Sequence, residues 1–173
     1  LMLRELLGLE FRITTDQEQY HTFEGPKLFY HTIAPLGKTE VHIAPAGLLT
    51  EKSINSHQLR FIDYDGSKAF FPVYAKSADM PFDLFSAAFY LVSRYEEYLP
   101  YLKDEHGRFS PEAGIAVQQG FLQVALVNRW ALKLGEILRL KFPQLTFNYP
   151  GYRFIPTIDI DAAWAYKHKG LIR

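Results

Sequence analysis

Asp159 and Asp161 alternate with apolar neighbours in the run PTIDID, residues 156–161. On a strand, residues two apart project from the same face. Their Cβ atoms would stand roughly 6.5 Å apart, two rises of about 3.3 Å each. Two carboxyl groups so placed can converge on one metal ion and one water, one ligating the ion and the other taking a proton from the water. That chemistry needs the pair at the C-terminal end of a strand, where α/β folds place ligands. The same spacing also suits a strand end whose aspartates cap the next turn. A bare D-x-D pattern does not choose between them.

A second group lies in SRYEEY. Tyr90, Arg94, Glu97, Tyr98 and Tyr101 fall on one stripe of an extended helix. Tyrosine and arginine are enriched in binding hot spots, so this stripe could dock a neighbouring domain or a sugar chain. It could equally be a solvated face with an Arg94–Glu97 or Arg94–Tyr98 pair. The six histidines are scattered, and His31 and His42 could sit on paired strands. Two histidines without a third ligand are more often structural than metal-binding. The sequence contains no Gly-x-Ser-x-Gly elbow, no Walker loop and no Gly-x-Gly-x-x-Gly run.

The elements that must position these residues are read from periodicity. Leu3, Leu6 and Leu7 have helical spacing, and Gly8 can end that turn. Segments 9–15, 27–33, 39–44, 59–64 and 68–74 alternate as strands do. The second and third could form a hairpin across a Pro/Gly turn, and the last two flank a DGS turn. Pro72 pushes its strand toward an edge. The run from Met80 to Leu102 reads as the main helix, with Asp83 as N-cap and Pro100 as stop. Its expected core stripe is Phe85, Ala88, Phe89, Val92 and Leu99. Residues 103–114 read as a polar loop and 121–126 as a short strand. A second helix over 128–141 should bury Trp130, Ala131, Leu134, Ile137 and Leu138. The run 153–160 reads as a final strand. The layout predicts an α/β fold, a mixed sheet with flanking helices, with α+β as the alternative.

Composition narrows the class. The 173 residues suit one domain, and 48% are apolar. Equal numbers of acidic and basic residues, 19 each, argue against an electrostatic nucleic-acid binder. Cysteine is absent, so thiolate metal sites and thiol nucleophiles are excluded. No run approaches the roughly 18 apolar residues of a membrane span. The chain opens on Leu1 within a helical pattern, which leads us to expect a piece of a longer polypeptide. Localisation stays open, with the cytoplasm slightly favoured.

PTIDID resembles the first motif of polysaccharide deacetylases, the metal-dependent carbohydrate esterases, usually written Thr-Phe-Asp-Asp-Gly. The stretches FDLFSAAFYLVSRYEEYLPYLKDEHGRF and RFIPTIDIDAAWAYKHKGLIR are similar to a region preceding the deacetylase barrel in a branch of bacterial proteins. The resemblance spans most of residues 80–173. It implies that Asp159 is the general base and Asp161 a metal ligand. Here an isoleucine separates the acids, Ala162 replaces the glycine, and the family's His-x-x-x-Ser/Thr-His motif does not follow. The resemblance therefore implies an accessory domain over 1–147, a linker at 148–152 and the first strand of a barrel over 153–173. The whole protein would remove acetyl groups from an N-acetylated glycan with a divalent metal, zinc by family habit. The implied partners are the chain's own barrel and a glycan, and the accessory part would not itself be catalytic. The alternative is a free-standing carbohydrate- or protein-binding module.

Overall fold

The computed structural model describes residues 1–37 and 39–159. The fold is mixed α/β. Its strands are β1 (Leu28–Tyr30), β2 (Val41–Ile43), β3 (Phe61–Tyr64) and β4 (Ser67–Phe70). Its helices are α1 (Gln17–Thr22), α2 (Leu84–Val92), α3 (Ile115–Gln118) and α4 (Leu126–Lys141). A π-helical turn, Met2–Leu6, opens the chain. Among the described residues the strands form two separate two-stranded sheets rather than one mixed sheet.

The β3–β4 hairpin follows from its turn. Asp65 and Gly66 both take positive φ, 51° and 68°, the conformation of a two-residue turn matching the strand twist. Tyr64 then faces Ser67 and Phe61 faces Phe70. Pro72 makes only an isolated bridge, to Phe82, as befits a residue without an N–H.

The expected hairpin of 27–33 with 39–44 is instead a parallel pair, Leu28 opposite Val41 and Tyr30 opposite Ile43. After Tyr30 the chain loops back before entering β2. The side-chain Nε2 of His42 lies 2.8 Å from the His31 carbonyl, securing that return. All three β2 residues are buried, the pattern of a strand covered on both faces.

α2 begins where expected. Oδ1 of Asp83 accepts from the backbone amides of Phe85 and Ser86 at 3.1 and 3.0 Å. Two features differ from the expectation. The helix ends at Val92, because Arg94 takes a left-handed φ of 53° and starts a 3₁₀ turn, Tyr95–Tyr98. The buried positions are Leu84, Ser86, Ala87, Ala88 and Tyr90, whereas Phe89 and Val92 stay 45% and 58% exposed. Nearly every α2 position is apolar, so periodicity could not choose the face. The choice comes from the cap: Oδ2 of Asp83 also accepts from the Tyr30 hydroxyl at 2.8 Å and the Ala46 amide at 2.7 Å. That anchorage sets the rotation of the helix.

α4 supplies the other half of the core. Leu126, Trp130, Ala131, Leu134 and Leu138 are buried on one stripe, and Ile137 packs beside it, partly buried. The Trp130 ring lies 5.8 Å from Phe70 and 5.2 Å from Phe82. Pro143 follows the last turn, where Arg139 and Lys141 suit the helix dipole.

Three expected strands are not formed. In 9–15, Leu9 is buried but Phe11 and Ile13 are exposed, and Thr14 bonds to the Asp16 amide ahead of the α1 cap. In 121–126, the amides of Val124 and Leu126 bond to nearby carbonyls, so the backbone is satisfied by turns. Residues 153–159 are exposed and unpaired. No sheet edge of the described residues meets them, and a lone strand leaves its backbone groups to water. No helix among the described residues is long and apolar enough to cross a membrane.

Candidate functional site

Asp159, the expected base, is exposed in the extended run that ends the described residues. Asp161, the expected metal ligand, lies outside them. Among the described residues no three histidine, aspartate or glutamate side chains group as a metal site requires. The described residues alone therefore do not fit a catalytic metal, which needs three protein ligands and an open position.

The paired histidines have structural work. The His42 ring is buried, and its backbone amide donates to Oδ2 of Asp79 at 2.6 Å. The His31 ring stacks on Phe29, 5.3 Å between centroids. His57 lies 3.4 Å from a Glu51 oxygen and packs edge-on against Phe71.

The SRYEEY stripe divides at the helix break. Tyr90 and Tyr95 stack inside at 5.1 Å, and burial pushes the Tyr90 hydroxyl up to about 12. Glu96 accepts from the Ile115 amide at 3.0 Å, and burial raises its carboxyl above the usual range. Arg94 pairs with Glu97, and Tyr98 is 65% exposed. Tyr101 packs against Phe109 at 5.1 Å. These residues do not form one continuous face.

A further polar assembly lies at the N-terminal end of β1 and β2. The Tyr20 hydroxyl donates to Oε2 of Glu40 at 2.8 Å. Burial, then Glu40, pushes that hydroxyl far up, so it remains a donor at ordinary pH. Lys141 Nζ, from the last turn of α4, donates to the Glu40 carbonyl at 2.6 Å and to Oδ2 of Asp79 at 2.7 Å. Lys27 Nζ donates to the Tyr20 carbonyl at 3.1 Å and sits 5.1 Å from the Tyr20 ring centre. An open groove of about 470 Å³ lies over this network, with Phe23, Lys27, Lys141 and Gln144 among its walls. Sequence reasoning passed over this assembly. Glu40 and Lys141 are 101 positions apart, and no local pattern joins them. The one local signal is Asp16, which caps α1 through the Glu18 and Gln19 amides and so presents Tyr20.

Residues 1–143 match the model of a family of unknown function, DUF7033, and the chain belongs to that family. No curated protein and no solved structure matches it.

Proposed function

We propose that this chain is the non-catalytic N-terminal part of a metal-dependent deacetylase of N-acetylated glycans. In this reading residues 1–147 pack beside, or recognise substrate for, a barrel whose first strand is 153–160. The observation that carries it is the state of residues 152–158. Tyr152, Phe154, Ile155 and Ile158 are 93%, 77%, 73% and 81% exposed. So apolar a segment needs a partner to cover it, and it is the segment that resembles the deacetylase motif. The body closes its core around Trp130 without it.

Asp159 would hold the proton taken from the attacking water, and Asp161 would ligate the metal. The metal's contribution is to polarise the acetamide carbonyl. The remaining ligands must come from outside the described residues.

The test is zinc calorimetry and acetate release from N-acetylated oligosaccharides by the full-length protein. The expected result is stoichiometric zinc lost in Asp161→Asn, with acetate release abolished in Asp159→Asn. A full-length protein that neither binds the metal nor releases acetate overturns the proposal.

A further inference from the structure

We infer that residues 145–149 form a strap that fixes where the apolar run Tyr152–Ile158 leaves the body, and that Pro150 and Gly151 are the hinge on which that run turns. Three observations carry this. All lie on the described residues, and none depends on an activity of the whole protein.

The first is a seat made by two glycines. Gly8 ends the N-terminal turn at a φ of 62°. A Cβ there would overlap the Asn148 carbonyl, so the strap crosses the turn backbone against backbone. Gly135 stands inside α4, where glycine weakens a helix relative to alanine. A methyl group in its place would lie 3.0 Å from Leu7 Cδ2, 3.5 Å from the Tyr149 hydroxyl and 3.6 Å from the Phe147 ring. The missing side chain makes room where the N-terminal turn, α4 and the strap meet.

The second is a clasp. The rings of Phe147 and Tyr149 stack at 5.6 Å, with 10° between their planes. Residues two apart in an extended stretch share a face, which permits this. Arg139, exposed on α4, lies 4.9 Å from the Phe147 ring centre and donates to the Tyr149 hydroxyl at 3.1 Å. A guanidinium can do both, because its flat face meets a ring while its edge donates. Leu145 and Phe147 also pack against the core.

The third is the place where the clasp stops. Tyr149 is 42% exposed and Tyr152 is 93% exposed. A Cβ on Gly151 would meet nothing within 4 Å. Pro150 biases Tyr149 toward extended backbone, and Gly151 gives the chain its widest conformational range. Among the described residues, 146–159 make no backbone–backbone hydrogen bond. Side chains and close packing therefore hold the strap, and the run 152–158 beyond it is exposed throughout. A segment with so few anchors past Tyr149 belongs to the least stable end of the structure.

The experiment is backbone ¹⁵N relaxation on the 173-residue chain. Order parameters at 147–149 should match those of α4, about 0.85, and fall below about 0.6 from Gly151 through Ile158. In Arg139→Ala, those at 147–149 should drop below about 0.6 while α4 keeps its values. Gly8→Ala should free the strap in the same way. Gly47→Ala should not, because Gly47 has a positive φ of 108° but open surroundings, so it isolates backbone strain from close approach. Arg139 is a surface residue, so its variant decides the clasp even where Gly8→Ala fails to fold. Low values at 147–149 in the unaltered chain overturn the strap, and high values through Ile158 overturn the hinge. An ordered strap in Arg139→Ala, or a loosened one in Gly47→Ala, overturns the proposed means of holding it.

Discussion

Asp83 and Asp159 stand in opposite surroundings, and each lies beside apolar sequence. Asp83 is fully buried. It accepts two backbone amides at the start of α2, the Ser86 hydroxyl, the Tyr30 hydroxyl and the Ala46 amide. Asp159 is exposed, in a run whose isoleucines and phenylalanine are exposed with it. A buried carboxyl group is tolerable only when its lone pairs are met, and the fold around Asp83 meets them from three separate stretches of chain. Nothing among the described residues does this for Asp159. The first aspartate belongs to the architecture of this domain. The second takes no part in that architecture among the described residues.

The comparison can be tested from its strongest side. Trp130→Ala, at the centre of the core, should cost about 3–5 kcal/mol in urea unfolding. A loss below about 1 kcal/mol would mean that the body is not packed around it. Asp83→Ala should cost roughly 2–4 kcal/mol, combining a lost cap with an orphaned Tyr30 hydroxyl. Recovery of part of that loss in the double variant with Tyr30→Phe would locate the hydroxyl's share. Phe89→Ala, on the outward side of α2, should cost only about 1 kcal/mol, in keeping with partial burial. A cost of 3 kcal/mol or more would return Phe89 to the core. Asp159→Asn should leave stability within about 0.5 kcal/mol. A larger change in melting temperature would mean that Asp159 is held by contacts of its own.

The parts of the fold legible in the sequence are those fixed by local chemistry. Asp83 reads as a cap because its side chain serves amides two and three residues on. The Asp65–Gly66 turn reads as a hairpin because its backbone demands those residues. The α4 stripe reads correctly because polar residues mark its other side. The α2 stripe holds at Ala88 but misled at Phe89 and Val92, which are as apolar as the buried Leu84 and Ala87, and a distant anchor, through Tyr30 and Ala46, decides between them. The parallel pairing of β1 and β2 likewise depends on a loop whose return is secured by His42 across the strands. At the candidate site, Asp159 and Asp161 stand out by spacing alone. The network of Tyr20, Glu40, Asp79 and Lys141 is invisible because its members come from four stretches that only the folded chain brings together.

The opening residues lead to a last consequence. Leu7 is fully buried against α4, where even a methyl group on Gly135 would come within 3.0 Å of its Cδ2. Met2 and Leu9 join the same core. The turn around Leu7 therefore waits for a helix that is made much later in the chain. At about 5–20 residues per second, the ribosome needs roughly 6–25 s to travel from Leu7 to Gly135. Through that interval Leu7 lacks its α4 partner. Closure of this part of the core thus depends on the arrival of α4.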